Sequence, residues 1–372
     1  MSLSAKHIYT VLSEWPDRVV GSEDEMMARE ALTTELLAEP GLELAEEGLR
    51  LPKSAAAIEF VMVISAVATI WLAASMPYIS LLVGLFLIGC FMLHLDGRRT
   101  PFDLLVPSAV SANLVAKKGQ GNKLYIVCSS IDVKAAGFGK DIDVSSYNNM
   151  IFYGFSFLFF WAFLIPVFYV FEFGISAWLE GLVSLSLISL FALYRLSLTG
   201  DGGNNLSGVA AASASASALW RKMPQDTEVR LVVSTGGALS GYGLEHYLKH
   251  HADEFEGRDV CVLNYDTPHG TKLAYIEKAG GLTSVYFENI MQMVAKGLVK
   301  LNPAYRKIRA IDAGTKLPES IIGARMGYKA LTVTSKLGPE AEPDLDVVNT
   351  ASKFGEAILR MLPEMKGKRD AR

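Results

Sequence analysis

Lysine and arginine are missing from two long stretches of this 372-residue chain, 54–95 and 147–194. The acids there are Glu59 in the first and Glu172 and Glu180 in the second. Charged residues make up 20% of the whole, against roughly 25% in an average soluble domain. That shortage, concentrated in two places, excludes a purely soluble protein and a disordered one. An excess of basic charge is lacking too. With 35 Lys and Arg against 39 Asp and Glu, the net charge is −4, so no general positive field attracts nucleic acid. Cysteine is scarce: Cys90, Cys128 and Cys261 are too few and too far apart for a disulfide framework or a zinc knuckle, and they read as small buried hydrophobes. The glycines at 200–203 and Gly236-Gly237 are not followed by a Lys-Ser/Thr phosphate motif. Met1–Arg50 is polar and charge-rich, so no secretory signal is expected there.

What is present in the charge-poor stretches is apolar sequence of membrane length. A hydrocarbon core of about 30 Å needs about 20 apolar residues in helix. Residues 55–75 meet that and 78–95 nearly do, with Met76-Pro77 as the reversal between them. Residues 149–171 and 175–194 repeat the design around Glu172-Phe173-Gly174, with Pro166 inside the third span. Two transmembrane hairpins, 54–95 and 147–195, return the chain to its starting side. Lys53, Arg98, Arg99, Lys117, Lys118 and Arg195 flank the spans while the reversal loops carry no positive charge. The positive-inside rule then expects the soluble parts to be cytoplasmic and the bilayer to be a partner. Glu59 lies near a span end and Glu180 near the far interface, which favours an anchor over a conduit.

The remainder, 1–53, 96–146 and 196–372, alternates strand and helix patterns. This predicts one discontinuous α/β domain with a mostly parallel mixed sheet covered by helices on both faces. Helices are expected at 7–39, broken at Trp15-Pro16-Asp17-Arg18 and restarted from an N-cap at Ser22, and at 209–221 and 346–362. Strands are expected at 113–116, 124–129, 229–234, 260–265 and 330–334.

Six segments, in order, resemble the M28-type zinc aminopeptidases. "WPDRVVGSEDEMMAREALTTELL" resembles that family's opening helix pair, and "NLVAKKGQGNKLYIVCSSID" its strand hairpin leading to the first metal-ligand strand. "GGNNLSGVAAASASASAL" is similar to the Asp-Asp-Asn-Ala-Ser-Gly motif with its alanine-rich helix. "EVRLVVSTGGALSGYGLEHYL" resembles the strand and loop with paired glutamates. "VCVLNYDTPHG" resembles the strand ending in a metal-binding Asp, and "GARMGYKALTVTS" the late Gly-Ile-Pro-Ala strand. The resemblance implies a zinc-aminopeptidase-like fold with the hairpins inserted in two connections.

It also implies two zinc ions held by His, Asp and Glu, with a Glu as general base. Carried over position by position, the first His is Ser130, and Asp132, which would orient that His, is kept. The bridging Asp is Asn204, the paired glutamates are Gly237 and Ala238, and the last His falls near Ser320. Of the ligands that the resemblance implies, Asp266 alone remains as a residue able to bind metal directly. One carboxylate does not hold two zinc ions, and Ser and Asn are poor zinc ligands. The expectation is therefore a pseudo-peptidase with no cofactor, acting as a binding or scaffold component of a membrane complex. Nicastrin and nicalin are precedents that resemble the family and lack its full zinc set. Asp132, Asn204, Asp266 and His269 are expected to line a residual cleft for a peptide or small polar ligand. Partners would be other membrane proteins or a second copy.

Two rival readings remain. One is a diverged metal-dependent hydrolase rebuilt around Asp132, Asp266 and His269; the other is a small transporter dependent on Glu59 or Glu180. His246 and His250 stand at i, i+4, but Tyr247, Leu248 and Lys249 between them supply no acid for a metalloprotease motif, and a solvated helix face is the plainer reading. Ser207 and Ser234-Thr235 show no accompanying His and Asp arrangement in the sequence.

Overall fold

The structure is a computed structural model that describes residues 3–133, 148–174, 177–196, 205–270, 272–314, 316–336 and 344–369. It divides into two compact units: Met1–Leu51 with Ala109–Val133 and Gly203–Arg372, and Pro52–Ser108 with Lys134–Gly202.

The first unit is a mixed sheet between two helical layers. Its described strands are β1 (Glu43–Pro52), β2 (Ser108–Gly119), β3 (Lys123–Ser130), β4 (Thr227–Ser234), β5 (Asp259–Asp266), β6 (Lys272–Ala279), β7 (Val285–Tyr286), β8 (Arg309–Asp312) and β9 (Lys329–Lys336). They lie in the order β1-β2-β4-β3-β5-β9-β6-β7, with β8 on β6. The centre, β4-β3-β5-β9, is parallel, and β2 and β6 flank it antiparallel. Alternate residues of the central strands enter opposite cores, because successive side chains of a strand point to opposite faces. Tyr125, Val127, Leu231, Val233, Leu263 and Leu331 go to one face; Leu124, Ile126, Val232, Val262 and Ala330 go to the other. Both faces being buried is why these strands read as unbroken apolar runs.

The first face is covered by α1 (Ala5–Leu12), α2 (Glu23–Leu37), α7 (Leu206–Arg221), α10 (Ile290–Leu301) and α12 (Leu345–Arg369), and the other by α8 (Tyr242–His250), α9 (Ala252–Phe255) and α11 (Ser320–Arg325). Ser22 caps α2 through Glu25 N–H at 3.1 Å, as its sequence predicts. The Ala/Ser run of α7 is almost wholly buried between β3, β5 and α12. Its small side chains let the helix approach the sheet closely: a Cβ on Gly208 would sit 2.6 Å from Tyr265 O.

The hairpin expected at 113–129 does not form. β4 lies between β2 and β3, antiparallel to the first and parallel to the second. β4 is buried along its whole length, so it takes a central position with a neighbour on each edge.

The second unit is a helical bundle of α3 (Ala55–Leu72), α4 (Pro77–Leu95), α5 (Asn148–Val170) and α6 (Ala177–Leu196). Pro77 occupies the first turn of α4, where its missing N–H costs nothing. The core includes Met62, Ala66, Leu87, Ile165 and Leu187, with Phe91 stacked on Phe159 at 4.1 Å. Phe102, on the turn Pro101–Leu104, also packs there, so residues 96–108 cluster with the helices although their composition is soluble-like. Phe60, Ile64, Leu82, Leu85, Phe157 and Trp178 face outward. Polar groups inside are tied locally: Ser80 Oγ donates to Thr69 O at 2.6 Å, and Tyr169 OH donates to Glu180. Glu180 is buried among the helices, in the first turn of α6. Among the described residues, α3 and α4 are the helices long and apolar enough to cross a membrane; Ser156–Val170 and Ala177–Ala192 are shorter apolar stretches.

Candidate functional site

The carboxyl ends of parallel strands, where loops diverge to both faces, are the usual ligand crevice of an open α/β sheet. Here β3, β4 and β5 end at Ser130, Ser234 and Asp266. The loops beyond them bring together Asp132, Gly237, Ala238 and Glu319, with α7 starting beside Ser129 and Ser130.

Asp132 holds the Gly237 loop through both carboxylate oxygens. Its Oδ1 accepts from Gly237 N–H at 2.8 Å and its Oδ2 from Ala238 N–H at 3.0 Å. Burial pushes its carboxyl up to about 7, although both N–H groups pull the other way. Arg18 lies close enough to act on it electrostatically. That guanidinium is itself buried, donates to Ile131 O at 3.0 Å and to Trp15 O, and burial brings it down to about 10. The Trp-Pro-Asp-Arg turn thus braces the end of β3.

The loop carrying Gly237 is pinned at both ends. Thr235 donates its hydroxyl to Glu25 and its N–H to Asn113 Oδ1 at 3.1 Å, while Asn113 Nδ2 donates to Gly243 O at 2.9 Å. Gly236, Ser240 and Gly241 have φ of +72°, +62° and +80°, a left-handed conformation that is cheap for glycine and uncommon for serine. Gly237 lies directly on Ser130: a Cβ there would stand 2.2 Å from Ser130 Cβ.

Asp266 accepts from Lys316 Nζ at 2.8 Å and from Thr267 Oγ1 at 2.8 Å. Asn204 lies outside the described residues. Its neighbour Asn205 is a hub: Nδ2 donates to Ser129 Oγ at 3.0 Å and Tyr265 O at 3.2 Å, and Oδ1 accepts from Thr267 N–H at 2.6 Å. Ser320 pairs its hydroxyl with Thr332. The residue before it, Glu319, is the one that sequence reasoning missed. It is buried, accepts from Ser234 Oγ at 2.7 Å through Oε1, and among the described residues has no partner for Oε2. Burial pushes its carboxyl up to about 8, helped by the charges of Asp132 and Asp266. No local sequence signal marked it, since a Pro-Glu-Ser start to a short helix is ordinary.

His269 turns Nδ1 to Ser207 Oγ, 3.0 Å away. His246 and His250 stack with ring centroids 6.0 Å apart, while His251 bridges Glu47 at 2.7 Å and Glu254 at 3.0 Å. Among the described residues, no three His, Cys, Asp or Glu converge as a metal site.

With that geometry in view, comparison with solved structures is informative. The chain superimposes on an Acidobacteriales bacterium glutaminyl cyclase with TM-score 0.54, at 10% identity over 98% of this chain and 96% of that one. It matches an aminopeptidase from Aneurinibacillus sp. strain AM-1 with TM-score 0.54, at 9% identity over 97% and 94%. A zinc aminopeptidase from Bacillus subtilis gives 0.52, at 8% identity over 96% and 94%. The chain has the fold of these enzymes. No family model and no curated protein matches it by sequence. The likeness therefore concerns architecture, shared here between cyclases and aminopeptidases, and the site must be read from its own residues.

Proposed function

We propose that this chain is a membrane-anchored, aminopeptidase-like protein without zinc peptidase chemistry, which serves as a binding component of a membrane assembly. The observation that carries this reading is the commitment of Asp132 to the N–H groups of Gly237 and Ala238, with Gly237 seated on Ser130. A ligand His at 130 and a glutamate at 237 have no room side by side on this backbone. Among the described residues the remaining donors do not fit two zinc ions: Asp266 is held by an ammonium, Asp132 accepts from two backbone amides, His269 addresses Ser207, and the rest are hydroxyls, an amide and a carboxyl oxygen of Glu319. No hydrolytic step through a metal is derived from such a set.

The anchor reading rests on the bundle. Only 33% and 28% of the apolar windows of α3 and α4 are buried within the structure, which leaves large apolar faces that bilayer would cover. The basic flanks Lys53, Arg98 and Arg99 orient the α/β unit to the cytoplasm by the positive-inside rule. The rival hydrolase around Asp132, Asp266 and His269 gains no support from a histidine that addresses Ser207. Elemental analysis of detergent-purified protein is the test. Sub-stoichiometric zinc is expected; tightly held zinc at one or two ions per chain overturns the reading.

A further inference from the structure

We propose that Ser207 and His269 form a metal-independent nucleophile–base pair that accepts acyl groups from activated esters or thioesters. The inference goes beyond the binding role above and uses none of the zinc-site positions.

Four features of the geometry carry it. First, Ser207 Oγ and His269 Nδ1 are 3.0 Å apart, within the reach a base needs to take the hydroxyl proton. Second, the histidine is held in place from several sides. Its loop is fastened by Asn205 Oδ1 on Thr267 N–H at 2.6 Å, by Ser335 Oγ donating to Thr267 O at 2.8 Å, and by Gly270 N–H donating to Ser335 Oγ at 2.9 Å. Such second contacts set a catalytic rotamer far better than a free loop does. Third, burial lowers the His269 imidazole from its ordinary value, which keeps it neutral and able to accept a proton at physiological pH. Fourth, Ser207 is the second residue of the 16-residue helix α7. The helical ladder begins with Val209 N–H on Asn205 O, so the amides of Ser207 and Gly208 precede it at the positive end of the helix dipole. A developing oxyanion is stabilised at such a place.

The chemistry balances without a metal. Ser207 Oγ forms a bond to the acyl carbon as its proton passes to His269 Nδ1. The tetrahedral oxyanion then collapses, the bond to the alcohol or thiol breaks, and the leaving group takes the proton from His269. Water attacks the acyl-serine by the same route in reverse, releasing the acid and restoring both side chains. Asp266 directs its carboxylate to Lys316 and Thr267. A pair without an orienting carboxylate is a weaker catalyst than a triad, and this restricts the class to activated acyl groups rather than amides.

The full-length protein in detergent, treated with a small fluorophosphonate and read by intact mass and peptide mapping, decides the matter. The expected result is one adduct, on Ser207, absent in Ser207→Ala. Its rate is expected to fall by about 10²-fold in His269→Gln, and in the wild type to fall with acid at a lower pH than an unburied imidazole would impose. Ser207 is only 1% exposed, so an unlabelled but folded wild type means that acyl groups do not reach it, and overturns the proposal. An adduct that persists in Ser207→Ala, or a rate indifferent to His269→Gln, overturns it as well. Zinc content is a separate measurement, so failure here leaves the binding reading standing.

Discussion

Lys316 Nζ lies 2.8 Å from Asp266 Oδ2. The carboxylate that the aminopeptidase resemblance keeps as a metal ligand is thus neutralised by an ammonium from the same chain. Lys316→Met releases it. The lysine side chain is 49% exposed, so the cost is expected to stay below about 1 kcal/mol. Isothermal titration of the variant with zinc is expected to show no tight binding. Tight binding would mean that Lys316 is what blocks a metal at this carboxylate.

Installing His and Glu at the two positions that the resemblance assigns to ligands tests the packing argument. Ser130→His with Gly237→Glu places two large side chains where a single Cβ already comes within 2.2 Å. Overpacking of this kind costs about 1–3 kcal/mol or more. The double variant is expected to lose stability in thermal melts and gain no zinc; a stable, zinc-loaded variant would show that the loop moves freely.

Glu319 predicts a pH effect with a definite sign. Its folded value, about 8, lies above its ordinary 4.5. The folded state therefore holds the proton more tightly, and stability is complete below about 4.5 and declines as pH rises towards 8. Asp132, raised from 3.8 to about 7, acts in the same direction. Glu319→Gln keeps the shape without the charge, so its melting temperature is expected to fall less between pH 5 and pH 8.5 than that of the wild type. Equal slopes would show that Glu319 does not ionise in this range.

The bundle offers a test of membrane placement. Leu85, near the middle of α4, is 49% exposed. Leu85→Arg on a lipid-facing surface costs about 2.5–3.5 kcal/mol of insertion, whereas on a water-facing surface it changes stability by less than about 0.5 kcal/mol. Loss of the variant from carbonate-washed membranes is expected. Unchanged yield and solubility without detergent would place the bundle in water.

Much of the first unit was legible from the chain alone. The central strands β3, β4, β5 and β9 stand within a few residues of where their apolar runs put them, and Ser22 caps α2 as its own side chain and the next three residues require. These features depend on contacts between near neighbours. The alternating burial of a strand and the capping of a helix are properties of a few consecutive residues, so composition and spacing were enough to specify them.

Strand order and the site were decided by tertiary structure. That β4 separates β2 from β3, that Gly237 rests on Ser130, and that Glu319 is buried against Ser234 depend on residues about 80 to 120 positions apart meeting in the fold. The pairing of Ser207 with His269 is of the same kind, invisible along the chain because the two stand 62 positions apart with two strands between them. The scarcity of charge determined where the apolar helices lie. What the few remaining buried charges do was settled only by which backbone amides, hydroxyls and ammonium groups the fold set against them, because desolvation and hydrogen bonding act through space and not along the sequence.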